Sequence, residues 1–268
     1  MRMSKLTDQL SGSVIREMYN EALKMDDTIS FTVGEPDFVT PAPIIEQACL
    51  YWKKGLTHYT PNVGILELRE AISQYHKNDL APNPDNEIMI SCGATEGIQM
   101  ALFTLVDPGD EVIVVTPAWP NYFGQIGMCG ARCKVVEARE ENNFIPDPDE
   151  IQAAISPKTK AIILNSPSNP TGAVIDADSC KRIAAILADR DIFVISDEIY
   201  SRLVYDEEKY TSLASFEALK EKTVYINGFS KMVAMTGWRL GYAIAPPAII
   251  KNMTKLHENG ASCLSAPS

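Results

Sequence analysis

A lysine and an arginine stand close together near the carboxyl end of the sequence. Lys231 comes just after the apolar run TVYING at 223–228, and Arg239 follows it eight residues later. A lone lysine after a strand is usually a solvated loop residue. The small and turn-forming residues around this one, Gly228, Ser230 and the segment TGWRLG, favour another interpretation, in which an amine and a guanidinium group meet at one site.

A carboxylate and a phenol follow a second apolar run, DIFVISD at 191–197. Asp197 ends this run, and Tyr200 comes three residues later. Burial of a carboxylate is costly unless the group meets a cation. The pattern therefore predicts an ion pair or a bound cationic ligand at Asp197, and a helix N-cap is the competing interpretation.

Two more apolar runs also end in polar or turn-forming residues. The run KAIILNS at 160–166 is followed by Asn169-Pro170, which is either a simple turn or a rigid mount for an amide side chain. The run EIMISC leads through Gly93 into a predicted helix that starts near Ala94 and Thr95. A tight turn explains this glycine, but the free N–H groups at a helix start also bind anions.

The elements that must position these groups alternate along the chain. Seven short apolar runs predict β-strands at 87–92, 110–116, 133–138, 160–166, 191–197, 223–228 and 239–245. Apolar residues at helical spacing predict helices at about 94–106, 120–129, 147–155, 176–189, 212–220 and 246–259. Strands that are apolar on both faces are typical of a mostly parallel sheet with helices on both sides, an α/β fold. Ligands bind at the carboxyl ends of such strands, where the polar groups lie.

The region before the first strand has a different organisation. Helical patterns at about 12–24, 41–54 and 65–79 are joined by turn-rich segments. We assign residues 1–40 to an N-terminal arm and helix, and residues 41–268 to one large α/β domain. The sequence contains no internal repeat or polar linker that would mark another boundary.

Composition and charge disfavour several classes of protein. The 268 residues carry a net charge of −11, which disfavours nucleic acid and anionic membranes as partners. No apolar run approaches the roughly 18 residues that span a bilayer, and no signal peptide is recognisable, so a cytoplasmic protein is expected. The six cysteines and three histidines lack the spacing of a metal site, which favours reduced thiols and no metal.

The polar residues that follow the four apolar runs match the chemical groups of one ligand. An aromatic aldehyde with a phosphate, a phenolic oxygen and a ring nitrogen would use all of them, and pyridoxal 5′-phosphate fits this description. The sequence also resembles the class I/II aminotransferases of pyridoxal-phosphate fold type I, the aspartate aminotransferase-like enzymes. The resemblance rests on VGEPDF at 33–38, HYTPNVG at 58–64, GATEG at 93–97, TPAWPNY at 116–122, NSPSNPTG at 165–172, DEIY at 197–200 and GFSKMVAMTGWRLG at 228–241.

The resemblance implies catalytic roles for Lys231, Asp197 and Tyr200 and a cofactor-binding role for Asn169. Lys231 would form the Schiff base with the cofactor and then move the proton between the substrate Cα and the cofactor. Asp197 would pair with the pyridine nitrogen, which makes the ring an electron sink. Asn169 and Tyr200 would hydrogen-bond the phenolic oxygen. The Asn169-Pro170 peptide bond is expected to be cis.

Further binding contacts follow from the same resemblance. The phosphate would be held by Ala94, Thr95, Ser230 and Arg239, and by Tyr59 of the other subunit of a homodimer. Trp119 would stack on the cofactor ring. Tyr122 is the alternative residue for that stacking contact, and we expect it to lie near the phenolic oxygen of the cofactor. Gly34 and Asn169 would bind the substrate carboxylate.

The chain departs from the family pattern at two points. Gly228 occupies a position that is often a phosphate-binding serine. Family members also continue for on the order of 100 residues beyond the position of Ser268, into a small C-terminal domain that carries the substrate-binding arginine. We therefore expect the natural protein to be longer, and the 268-residue chain to bind cofactor but transaminate poorly.

Three functions are compatible with this sequence. The leading prediction is an aminotransferase that exchanges an amino group between an amino acid and a 2-oxo acid. A β-eliminating C–S lyase of the same fold would have nearly the same cofactor residues. A truncated, non-catalytic protein that still binds the cofactor is the third.

Overall fold

The computed structural model describes residues 3–10, 12, 14–206 and 209–268. Ser13, within the predicted helix at 12–24, lies outside the described residues. The helices are α1 (Lys5–Gln9), α2 (Val14–Ala22), α3 (Ala42–Lys53), α4 (Leu66–Tyr75), α5 (Gly93–Leu105), α6 (Asn121–Met128), α7 (Pro148–Ala154), α8 (Ala177–Ala188), α9 (Phe229–Met232) and α10 (Pro247–Gly260). The strands are β1 (Ile88–Ser91), β2 (Glu111–Thr116), β3 (Arg132–Glu137), β4 (Thr159–Asn165), β5 (Phe193–Asp197), β6 (Thr223–Gly228) and β7 (Gly241–Ile244).

The seven strands form one mixed sheet in the order β1-β7-β6-β5-β4-β2-β3. Each predicted strand is confirmed to within two residues at either end. Strands β6, β5, β4, β2 and β3 are parallel to one another, whereas β7 is antiparallel to both β1 and β6. The mostly parallel α/β fold predicted from the sequence is therefore confirmed.

Helices cover both faces of the sheet, as the two-sided apolar strands require. On one face, residues of α5, α6 and α10 pack against alternate strand residues such as Val112 and Ile163. On the other face, α7 and α8 pack against the intervening residues, such as Ile113 and Ile162. Alternate residues of the same strand thus enter different cores, which fixes the sheet between two helical layers.

The region predicted as a helix at 212–220 differs from the structure. It forms two 3₁₀ helices, Leu213–Ser215 and Glu217–Lys222, with Phe216 between them in an extended conformation. Leu213 and Leu219 are both buried against the α8 side of the sheet. Their burial, and not helical propensity, determines the path of this segment.

Two other local features complete the comparison with the sequence. The Asn169-Pro170 peptide bond is cis, as predicted, and Thr116-Pro117 and Ser166-Pro167 are also cis. Within the described residues, no helix has both the length and the apolar character needed to cross a lipid bilayer.

Candidate active site

The direction of the strands brings the polar run ends to one edge of the sheet. Strands β4, β5 and β6 are parallel, and β1 runs in the same direction because the antiparallel β7 lies between β1 and β6. The carboxyl ends of these four strands and the beginning of β7 therefore share an edge. Arg239 precedes β7 and reaches this edge only because that strand is antiparallel.

Asp197 is a deeply buried carboxylate at this edge, with 4% of its surface exposed. Its Oδ2 accepts a hydrogen bond of 2.5 Å from the Tyr122 hydroxyl, and its Oδ1 accepts one of 3.2 Å from the Ile199 N–H. Burial raises the pKa of Asp197 to about 6, although both hydrogen bonds favour the charged form. Residues 199–202 form turns, so the N-cap interpretation of Asp197 is wrong.

Asn165 connects two of the predicted site residues. It lies directly beside Asp197 in the β4–β5 register, and its Nδ2 donates to the Asp197 carbonyl at 2.8 Å. Its Oδ1 accepts a hydrogen bond of 2.7 Å from the Asn169 N–H. The Asn169 amide in turn donates to the Tyr200 hydroxyl at 3.3 Å. The Asn165 side chain therefore fixes the spacing between the carboxylate and the amide–phenol pair.

Tyr122 and Trp119 lie at the start of α6 and in the turn before it. Their rings meet edge to face, with centroids 5.3 Å apart and an angle of 86° between the ring planes. Tyr122 is 2% exposed, and its hydroxyl donates to Asp197. The sequence-based expectation placed Tyr122 on the phenolic side, whereas the structure pairs its hydroxyl with the carboxylate.

The start of α5 forms a cradle for an anion. Gly93 has φ +71°, a conformation that favours glycine, and a Cβ added there would collide with the Arg239 guanidinium group. The first-turn N–H groups of Ala94 and Thr95 have no intrahelical acceptor. These N–H groups, the helix dipole and the adjacent guanidinium group all favour a bound anion such as a phosphate.

Lys231 is half-buried in the short helix α9. Its Nζ donates to the Gly34 carbonyl and lies 5.9 Å from the centre of the Tyr200 ring. Burial lowers the pKa of Lys231, Glu35 opposes this effect, and the positive charge of Arg239 adds to it. A lowered pKa increases the fraction of neutral amine, which is the nucleophilic form.

The remaining predicted residues differ in how they are placed. Ser230 is buried directly before Lys231. Gly34 is exposed and contacts Lys231 through its carbonyl group. Tyr59 has 92% of its surface exposed, in contrast to the buried Asp197 and Tyr122.

Sequence reasoning missed two residues that support the site. Asn165 stands in the motif NSPSNPTG, so its position was marked although its bridging role was not. Gln125 donates from Nε2 to the Thr95 carbonyl at 2.8 Å and holds the first turn of α5 against α6. No local sequence pattern signals this second contact, because it joins residues 30 positions apart.

These groups fit pyridoxal phosphate. Asp197 is a buried carboxylate without a cationic partner among its hydrogen bonds, and a protonated ring nitrogen would supply that partner. The α5 cradle with Arg239 fits the phosphate, and the Asn169–Tyr200 pair fits the phenolic oxygen. The neutral form of Lys231 suits attack on an aldehyde.

The chain is similar to several aminotransferases in both sequence and structure. An aspartate aminotransferase of Pyrococcus abyssi is 42% identical over 98% of this chain and 68% of its own length. An aromatic-amino-acid aminotransferase of Thermococcus litoralis is 39% identical over 98% of this chain and 68% of its own. The structure of aspartate aminotransferase from Thermus thermophilus with maleate matches with a TM-score of 0.95 at 34% identity, over all of this chain and 71% of that one.

The chain thus spans about two thirds of the length of these relatives. The family model described as aminotransferase class I and II matches residues 26–268, which include every residue of the site described above. A match of this extent agrees with the fold and with the groups gathered at the sheet edge. The chain therefore belongs to the class I and II aminotransferases, whose cofactor is pyridoxal 5′-phosphate.

Proposed function

We propose that this chain transfers an amino group between an amino acid and a 2-oxo acid, with Lys231 as the residue that bonds to the cofactor. The proposal rests chiefly on the position of the half-buried Lys231 amine. It lies over the Tyr200 ring, at the same sheet edge as the buried Asp197 carboxylate and the α5 anion cradle. No role in stability alone accounts for this combination.

Each residue would then perform a distinct step. Bound pyridoxal phosphate supplies an aldehyde that takes up the amino group and a ring that accepts an electron pair. Asp197 keeps a proton on the ring nitrogen, because its carboxylate needs a cationic partner in this buried position. Asn169 and Tyr200 donate hydrogen bonds to the phenolic oxygen. Lys231 removes and returns the proton at the substrate Cα.

The other contacts hold and orient the two ligands. The N–H groups of Ala94 and Thr95, the Ser230 hydroxyl and Arg239 bind the phosphate, and Trp119 covers the ring. Gly34 and Asn169 receive the substrate carboxylate. A cytoplasmic location stays a prediction from the sequence.

The proposal includes a homodimer with shared active sites. Tyr59 is 92% exposed, and α3 nearby has no buried residue and leaves Leu50, Tyr51 and Trp52 between 44% and 59% exposed. An apolar surface of this kind is typical of an interface. In this proposal, Tyr59 of a second copy of the chain reaches the phosphate of the first.

The test is chemical labelling of the chain with pyridoxal phosphate. Borohydride reduction followed by peptide mapping is expected to place a pyridoxyl group on Lys231, and K231A is expected to take up none. K255A, which changes an exposed lysine of α10, is the matched control and should label as the wild-type chain does. Labelling of the wild-type chain at a different lysine would contradict the assignment.

Product analysis tests the reaction itself. Amino transfer from an amino acid to a 2-oxo acid supports the proposal. Release of pyruvate and ammonia without any acceptor acid would indicate a β-lyase. Labelling of Lys231 without any turnover would indicate a protein that only binds the cofactor.

A further inference from the structure

Thr40 joins two segments that are almost 200 residues apart in the sequence. Its hydroxyl donates to the Ala234 carbonyl at 2.7 Å and accepts a hydrogen bond of 2.9 Å from the Trp238 indole N–H. Thr40 is 8% exposed, and both hydrogen bonds are partly buried. Thr40 stands just before Pro41 and α3, a position that is typical of a residue that caps a helix. However, no side chain caps α3, and the Thr40 hydroxyl makes the two contacts described above instead.

The two segments carry different parts of the proposed site. Thr40 ends the segment 34–40, which begins with Gly34 at the substrate carboxylate. Ala234 and Trp238 belong to the loop 233–239, which begins after Lys231 and α9 and ends at Arg239. The two hydrogen bonds of Thr40 thus connect the segment proposed to bind substrate with the loop proposed to bind phosphate.

The backbone conformation of the loop 233–239 needs contacts with residues outside the loop. Ala234 has φ +53° and Arg239 has φ +59°, a left-handed conformation that costs free energy for residues other than glycine. Such residues keep this conformation only when their surroundings hold them. Thr40 donates a hydrogen bond to the Ala234 carbonyl. It also accepts one from the side chain of Trp238, the residue directly before Arg239.

Other contacts between the two segments are more exposed. Thr236 donates to Glu35 Oε2 at 3.0 Å, and Lys231 donates to the Gly34 carbonyl. Both contacts lie at the surface, where water competes for the same groups. The Lys231 contact also uses the amine that is proposed to bond to the cofactor, whereas the Thr40 contacts do not.

We propose that Thr40 is a positioning residue that holds the Gly34 segment and the Arg239 loop in one arrangement. The inference rests on the proposed function, because it assigns Gly34 and Arg239 to the substrate carboxylate and the phosphate. Loss of the Thr40 hydroxyl leaves the Trp238 N–H without its acceptor and frees the backbone at Ala234. Both ligands then bind less tightly, although Thr40 touches neither.

The experiment compares T40V with T40S in the complete 268-residue chain. Valine keeps the shape and removes the hydroxyl, whereas serine keeps the hydroxyl. We expect T40V to weaken the binding of pyridoxal phosphate about 10-fold and to speed amide hydrogen exchange in residues 233–239, because a buried donor loses its partner. T40S should restore both properties to within about twofold of the wild-type chain.

T104V is the matched control. Thr104 lies near the end of α5, and its Oγ1 is buried without a hydrogen-bond partner among the described residues. The same Thr→Val change therefore breaks no hydrogen bond there, and it should leave cofactor binding and exchange of 233–239 unchanged. Effects of T104V equal to those of T40V would overturn the proposal.

A second variant keeps the test decisive if T40V does not fold. W238F removes the donor to Thr40 and keeps an aromatic ring. On its own, W238F should accelerate exchange of residues 233–239 and weaken cofactor binding, and a W238F variant equal to the wild-type chain in both properties would overturn the proposal. If T40V does fold, the double variant T40V/W238F should weaken cofactor binding no further than T40V alone. Independent, additive losses would overturn the proposal.

The outcomes also separate this inference from the proposed function. If the wild-type chain binds no pyridoxal phosphate at Lys231, the proposed function fails whatever Thr40 does. If the wild-type chain binds the cofactor and T40V equals T40S in affinity and exchange, only the role of Thr40 is refuted.

Discussion

Asp197 and Glu198 are adjacent buried carboxylates with different surroundings. Asp197 pairs with Tyr122 at the site, whereas Glu198 is 2% exposed and accepts hydrogen bonds from Ser196 at 2.7 Å, from Ser212 at 2.7 Å and from the Tyr210 hydroxyl. Burial raises the pKa of Asp197 to about 6 and that of Glu198 to about 7. In the proposed function, Asp197 gains a cationic partner when the cofactor binds, whereas Glu198 does not.

The first prediction concerns D197N in the cofactor-free chain. The folded-state pKa of Asp197 lies above its ordinary value of 3.8, so its contribution to stability is lost as the pH rises from 3.8 through about 6. At pH 8 we expect D197N to raise the free energy of unfolding by roughly 1–3 kcal/mol, because a neutral amide has no charge to bury. Urea denaturation at pH 8 and at pH 5 measures the effect, which should be smaller at the lower pH.

E198Q provides the comparison for this prediction. It should also stabilise the cofactor-free chain at pH 8, because the same burial acts on Glu198. Excess pyridoxal phosphate should make the wild-type chain more stable than D197N, whereas E198Q should keep its advantage. A D197N variant that is less stable than wild type without cofactor at pH 8 would show that burial does not dominate at Asp197.

Among the secondary-structure elements, α8 depends on a lysine outside the helix. Lys222 Nζ donates to the carbonyl groups of Leu187 at 3.2 Å, Ala188 at 2.7 Å and Arg190 at 2.7 Å. Leu187 and Ala188 are the last two residues of α8 and Arg190 follows the helix, so the ammonium group lies at the carboxyl end of α8, where the helix dipole favours a positive charge. One side chain thus ties the end of α8 to the start of β6.

The second prediction concerns K222M. Methionine keeps an apolar chain of similar length but removes the charge and the hydrogen bonds, so we expect a loss of about 1–3 kcal/mol in the free energy of unfolding. Faster hydrogen exchange should appear in residues 185–190. K222R should retain most of the stability, since a guanidinium group also donates to carbonyls. Equal stability of K222M and the wild-type chain would refute the capping role.

At the scale of the whole molecule, the proposed dimer determines whether Tyr59 takes part in the site. Tyr59 is exposed in the single chain, whereas Lys231 and Asp197 are in place without a partner. Lys231 and Asp197 therefore need only the single chain, whereas the proposed role of Tyr59 needs the dimer. Variants that affect each of them can be combined in one mixed dimer.

The third prediction uses a mixture of Y59F and K231A chains. We expect Y59F to bind pyridoxal phosphate about 10-fold less tightly, because the phosphate loses a charge-assisted hydrogen bond. In a mixed dimer, the Lys231 site of the Y59F chain receives the intact Tyr59 of the K231A chain. Titration of the mixture should therefore show a component with wild-type affinity, confirmed by borohydride labelling. A mixture that behaves as the sum of its two parents would exclude the shared site.

The sequence by itself determined the elements and the chemistry of their ends. Two-sided apolar runs have the length of buried strands, and this pattern located all seven strands. Asp197 was identified because a buried carboxylate is costly unless it has a partner. Lys231 and Asn169 were marked by the turn-forming residues around them, and the resemblance to the family supplied their expected roles. These properties are local, since a residue and a few neighbours are enough to express them.

Tertiary structure decided the direction of β7 and the contacts between distant segments. An apolar run reads the same in either direction, so the sequence does not show that β7 is antiparallel and that Arg239 meets Gly93 at the sheet edge. The bridge formed by Asn165 and the hydroxyl of Thr40 likewise join groups that no local pattern pairs. The physical reason is that a hydrogen bond depends on distance in space, which only the packing of the complete sheet and its helices determines.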